Sequence, residues 1–197
     1  GRDCCWWYNE RANVSVLAGA AWAKGWVALE EYSTLKRAEA PTSGVDDEGD
    51  SGARGRVDLY VSTPHEDCAF EAKQVWVRLG PDFVDAGCSG KIAEGKKAAR
   101  RDALKLLGEA SAHYAVTFVV PFVSPEGLAN STVAEFPENL CRWLSGFATH
   151  SESADCASDH GSMQMAYVFP RLDERCYVNA AGFYYPGVVA FVEVVGQ

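Results

Sequence analysis

Asp58 lies in one apolar run, Arg56-Val57-Asp58-Leu59-Tyr60-Val61, and Glu71-Ala72-Lys73 lies in the next, Ala69-Phe70-Glu71-Ala72-Lys73-Gln74-Val75-Trp76. Both runs are rich in β-branched and aromatic residues and read as strands, while Ser62-Thr63-Pro64-His65-Glu66-Asp67 between them has the composition of a turn. Asp58 and Glu71 can then stand on neighbouring antiparallel strands, and alternation sends Glu71 and Lys73 to one face. Two carboxylates with coordinated waters suit Mg²⁺ (or Mn²⁺), hard cations that take oxygen ligands. Such an ion acidifies a bound water and stabilises charge building on phosphate oxygens, which is the chemistry of phosphodiester hydrolysis. Lys73 would orient the water or hold the phosphate, and its ammonium offsets the repulsion between the two acids.

The plain alternative is a cross-strand ion pair on an exposed sheet face, worth roughly 0.2–1 kcal/mol. A second Glu-x-Lys copy, Glu94-Gly95-Lys96, shows how weak the tripeptide is alone. It has no strand-borne Asp upstream at suitable spacing, and its helical surroundings point its ends in different directions, so it reads as a solvated surface pair.

In its ordered context the first copy resembles the PD-(D/E)XK restriction-endonuclease-like superfamily: helix, strand, Asp-bearing strand, Glu-x-Lys strand, helix, strand, over roughly residues 5–122. The resemblance implies an α/β fold with a mixed central sheet flanked by helices. It makes Asp58 and Glu71 the metal-binding acids, Lys73 the lysine of the motif and the main-chain carbonyl of Ala72 a further metal ligand. It also implies DNA as the substrate. Val57 stands where the motif's name has Pro, and some members of the superfamily are inactive, so a non-catalytic binding or interaction module with a protein partner is the alternative. An unrelated small-molecule hydrolase is a third class.

Several elements must position these residues. Residues 9–24 read as a helix stopped by Gly25, with Glu10, Val14, Leu17 and Ala21 in one stripe. That stripe puts Glu10 in line with the sheet-packing residues, although an acid in a first turn also simply complements the helix dipole from solvent. Residues 26–35 read as a strand on which parity leaves Glu30 and Glu31 open, and the resemblance favours Glu31 as a further site acid. Residues 38–55, Gly- and Ser-rich with the acidic stretch Asp46-Asp47-Glu48-Gly49-Asp50, read as a mobile loop. Residues 91–107 read as an amphipathic helix with Ile92, Ala99, Ala103 and Leu107 as its apolar stripe. Lys97, Arg101 and Lys105 follow fourfold spacing, with Lys96 and Arg100 beside them, and would contact nucleic-acid phosphates if this helix flanks the site. A solvated face, with Glu94 and Asp102 as local partners, explains them equally well.

The whole chain bounds these readings. Its 197 residues, 48% hydrophobic, fit one domain over 1–197, with a nuclease-like core at 5–122 and an elaboration at 123–197. There, 113–122 reads as a buried strand, 136–147 as a core helix, 151–161 as a polar loop, and 163–169, 177–184 and 188–195 as added strands in a meander. A net charge of −9 argues against wholesale coating of nucleic acid, so any affinity would be local and salt-sensitive. Seven scattered cysteines, with no Cys-x-x-Cys pair, suit a reducing, cytoplasmic setting, and the apolar runs are too short to span a bilayer as helices.

Overall fold

The computed structural model describes residues 3–37, 52–80, 88–108, 110–130, 135–152, 163–170, 172 and 176–196. A 3₁₀ turn (Cys5–Trp7) leads into α1 (Glu10–Ala23), whose N-cap Asn9 accepts the Ala12 N–H at 3.0 Å. The helix buries Asn13, Val14, Ala18 and Ala21, so small residues let it lie close on the sheet. Gly25, at φ +77°, turns the chain back into β1.

Strands β1 (Val27–Arg37), β2 (Gly52–Ser62) and β3 (Asp67–Leu79) form an antiparallel series. Helix α2 (Cys88–Ala103) then crosses over to β5 (Ala112–Val123), which runs parallel to β3 from Cys68↔Ala112 to Leu79↔Val123. A two-residue β4 (Leu106–Leu107) pairs with the end of β1. After α3 (Pro125–Ala129) and α4 (Phe136–Glu152), β6 (Met163–Val168) and β7 (Val188–Gly196) complete a mixed seven-stranded sheet in the order β4-β1-β2-β3-β5-β7-β6. The α/β class with a mixed sheet and helices packed against it follows the sequence reading.

Alternation divides the core. Leu59, Val61, Cys68, Ala72, Val116 and Phe118 pack with the apolar side of α1. Val77, Leu79, Val119 and Val123 pack with Ile92 of α2 and with Phe136, Leu140, Trp143 and Leu144 of α4 on the other face. The strand pair β1–β2 changes sides once. Ala28 packs with α1 and Glu30 accepts a hydrogen bond from Ser15 of α1 at 2.7 Å, but beyond Glu31, a non-glycine at φ 53°, Lys36 reaches Glu71 on the opposite face. On β2 the switch falls at Asp58, since Leu59 packs under α1 whereas Val57 packs with Ala69 and Leu106.

Four expectations are corrected. The helix expected to run to Leu107 stops at Ala103, because Leu106 and Leu107 find ladder partners in Lys36 and Leu35 and the Arg37 N–H donates to Lys105 O at 2.7 Å. Residues 177–184 are not a strand: Asn179 Oδ1 accepts the N–H groups of Ala181 and Phe183, and Gly182 at φ +82° closes a turn that presents Tyr184 to the core through isolated bridges to Val123 and Val178. The added strands are no simple meander, for β7 lies between β5 and β6. Gly52 to Gly55 belong to β2, while the rest of the expected loop, with Asp46 to Asp50, lies outside the described residues, as does most of 151–161.

Candidate active site at the divergence of two strands

The β2–β3 ladder runs from Ser62↔Asp67 to Leu59↔Phe70 and ends there. One rung further stand Asp58 and Glu71. In place of a ladder bond, Asp58 Oδ2 accepts the Ala72 N–H at 2.7 Å, so the strands part around a carboxylate. The Lys73 ammonium donates to the Ala72 carbonyl at 2.9 Å. Both polar groups of this main-chain segment are thereby held by the side chains on either side of the divergence.

Glu71 is 3% exposed. Burial pushes its carboxyl up, to about 7; the adjacent Lys36 ammonium holds it down and the nearby Asp58 carboxylate pushes it further up. Lys36 Nζ lies 2.8 Å from Oε1, yet the approach leaves that buried oxygen short of a well-formed hydrogen bond. The ammonium arrives from two strands away because the lysine stem crosses β2 above Gly55. A Cβ there would fall 2.7 Å from Lys36 Cδ, so any larger residue would displace the lysine stem from this path.

Lys73 is half-buried, which alone would lower its basicity, but Glu10, Asp102 and Asp58 together raise it, with Asp102 Oδ2 at 3.2 Å. The ammonium therefore stays charged. Burial opposes ionisation of Asp102 as well, and Lys73 and Arg101 outweigh it, holding the carboxyl below its usual range. Glu10 is raised by burial, eased by Lys73 and raised again by Asp58. Its helix is docked on β3 by Asn13 Nδ2, which donates to Gln74 Oε1 at 2.7 Å. Gln74 thus faces α1 as a satisfied polar residue, on the side opposite Lys73.

The structure accordingly brings Asp58, Glu71, Ala72, Lys73 and Glu10 into one electrostatically coupled group. It does not bring in Glu31, which turns outward to Arg11 at 2.7 Å and Arg56 at 3.2 Å; its left-handed backbone aims it away from the divergence. The basic face of α2 is also narrower than its spacing implied. Arg100 pairs with Glu193 of β7, and Arg101 and Lys105 turn to Asp102 at 3.3 and 3.7 Å. Lys97 remains exposed with no ion-pair partner among the described residues. Lys96, expected in a solvated pair, instead places its ammonium 3.5 Å from the centroid of the Phe191 ring.

Two participants escaped the sequence reading, Lys36 and Asp102. Nothing local marks Lys36, because its role depends on strand register and on Gly55. Asp102 was visible only as a helix-surface partner of basic residues, and its contact with Lys73 requires the end of α2 to lie over β3.

Among the described residues no three His, Cys, Asp or Glu side chains gather closely enough to enclose a cation by themselves. The oxygens that remain are those of two carboxylates and the Ala72 carbonyl, which accepts from Lys73, and their oxygen chemistry is the kind a hard divalent ion takes. The buried Glu71 Oε1, met by the Lys36 ammonium at 2.8 Å without a well-formed hydrogen bond, is the oxygen at which a divalent ion would have to compete with Lys36. Comparison with family models, curated proteins and solved structures finds no match to this chain.

Proposed function

We propose that the chain is a metal-dependent nuclease of the restriction-endonuclease-like kind, hydrolysing a DNA phosphodiester at the β2–β3 divergence. The observation that carries the reading is the parting of two strands around Asp58 and Glu71 with Lys73 fixed beside them. Asp58, Glu71 and the Ala72 carbonyl would hold Mg²⁺ or Mn²⁺. Bound there, the ion would supply an acidified water and charge neutralisation at the phosphate.

The protein's own residues do the rest. Lys73, kept protonated by Glu10, Asp102 and Asp58, donates hydrogen bonds to the attacking water or to a phosphate oxygen, and Asp102 fixes where its ammonium points. Lys36 sits at Glu71 where the ion would bind, and would turn to a phosphate oxygen on being displaced, its stem crossing Gly55 with no side chain beneath it. Glu10 adds negative charge at the rim of the cluster and, through Asp58 and Lys73, shares in its protonation. Lys97, exposed and with no ion-pair partner among the described residues, would meet a phosphate from solvent.

The test is incubation of single- and double-stranded DNA with Mg²⁺ or Mn²⁺, comparing the protein with Lys73→Ala. Cleavage that falls at least ~100-fold in the variant supports the reading, the scale expected when one group acting in the transition state is removed. Undiminished cleavage would exclude it. One observation favours a second reading, a binding module of the same architecture: the Lys36–Glu71 pair already neutralises the buried acid without any metal. A metal that cannot displace Lys36 at millimolar concentration would establish that alternative.

A further inference from the structure

A cavity of about 320 Å³ opens beside the divergence, between the second half of β1, β2, β4 and the start of β5. Its buried floor is Val57, Ala69 and Leu106, which pack on one another. Continuity with the proposed cleavage centre is given by the chain: Val57 adjoins Asp58, and Ala69 lies two residues before Glu71 on β3. Two residues along a strand span about 7 Å, within the reach of a single nucleotide.

The lining has the composition of a base-recognition site. Tyr32 and Tyr60 stack with ring centroids 5.1 Å apart and planes inclined by 29°, and Tyr32 is 37% exposed, so one ring can offer a face to an incoming planar group. Arg54 borders the opening, exposed and with no ion-pair partner among the described residues. His113, the register partner of Ala69, lines the inner end, where burial lowers its basicity and favours the neutral imidazole. Aromatic faces bind bases in general, while a guanidinium discriminates among them: it only donates, so it matches the paired O6 and N7 acceptors of guanine and opposes the amino group of adenine.

We propose that this cavity holds the base of a nucleotide adjoining the scissile phosphate, guanine in preference to adenine, with Tyr32 as the stacking surface and Arg54 as the reader of the base edge. The assignment to a strand being cut rests on the nuclease reading; the pocket's affinity for a base does not.

Two arms separate them. In the first, the full chain with divalent metal chelated is titrated calorimetrically with GMP and with AMP, which share one phosphate. GMP should bind about tenfold more tightly, Arg54→Ala and the length-keeping Arg54→Met should both abolish the difference, and Tyr32→Ala should weaken both nucleotides about tenfold. No binding of either nucleotide up to about 10 mM, or a preference that survives Arg54→Met, overturns the pocket; an unchanged melting temperature shows that each variant is folded. In the second arm, oligonucleotides carrying one guanine in an adenine strand are incubated with Mn²⁺. Cuts at a fixed offset from the guanine, scattered by Arg54→Met, support the strand assignment. Cuts indifferent to guanine overturn the pocket's place in cleavage and leave the nuclease reading standing. No cutting at all, with the GMP preference intact, overturns the strand assignment in favour of a free nucleotide.

Discussion

The two faces of β3 carry the same strand into different physics. Toward α1, Cys68, Phe70 and Ala72 join an apolar cluster with Leu59, Val61, Val116 and Phe118, and the polar Gln74 that follows them is matched by Asn13. Toward the end of α2, Glu71 and Lys73 share their space with Asp58, Lys36, Asp102 and Glu10, all at least partly buried. The first face is explained by folding alone, because removing apolar area from water is what holds the layers together. The second is not, since buried ion pairs are commonly neutral or worse beside an apolar replacement of the same volume. A charged cluster on one side of a strand whose other side packs apolar residues under α1 is what the proposed function would account for and burial alone does not.

Substitutions can break that contrast. The largest effect is expected at the charged face: Asp58→Asn should lower DNA cleavage by at least ~1,000-fold while leaving the urea midpoint nearly unchanged, the signature of a group that acts in the reaction. The reverse pattern is expected across the strand. Leu59→Ala should cost about 2–5 kcal/mol in urea denaturation, from lost burial and the cavity left behind, and should reduce cleavage only through the unfolded fraction.

Between these lies Glu71, for which the sign of the pH effect is decisive. Its carboxyl is raised to about 7 in the folded protein from an ordinary 4.5, so the folded state binds the extra proton and stability should fall as pH rises from about 4.5 to about 7, then level off. The total is on the order of 3 kcal/mol. Glu71→Gln should abolish that slope, gaining stability at pH 8 while losing cleavage. Thermal unfolding from pH 4 to 9 with metal chelated checks it, and Mn²⁺ should restore stability most strongly above pH 7, where the carboxylate is free to bind.

Smaller effects sharpen the comparison. Lys36→Met removes the ammonium that rivals a metal at Glu71 and should tighten Mn²⁺ binding about tenfold, at the scale of one nearby charge; unchanged affinity would show that Lys36 does not compete. Smallest of all, Lys97→Ala should weaken DNA binding a few-fold and reduce the salt slope by about one, measured by fluorescence anisotropy across NaCl concentrations.

How much of this could be read from the chain differs between the faces as well. Apart from the end of α2, β4 and the first residues of β2, the strands and helices through β5 follow from β-branched runs, from Asn9 and Gly25 as helix signals and from the turn at residues 62–67, because these depend on neighbours in sequence. The meeting of Asp58 with Glu71 follows from counting back along one hairpin. Lys36 was hidden because the side switch at Glu31 requires a left-handed non-glycine residue, which composition does not announce. The turn at Asn179 to Gly182 was hidden because its aromatic and β-branched residues imitate a strand, while Tyr184 is claimed by the core. Arg100 looked like a surface cation until β7 brought Glu193 beside it.

The most direct test of the central claim is calorimetric titration of Mn²⁺ into the full chain and into Asp58→Asn at pH 8. One ion should bind the native sequence in the micromolar to millimolar range, ~−8 to −4 kcal/mol, and the variant should bind at least tenfold more weakly. Absence of binding at millimolar Mn²⁺, or equal binding by the two proteins, would contradict a metal site at the strand divergence.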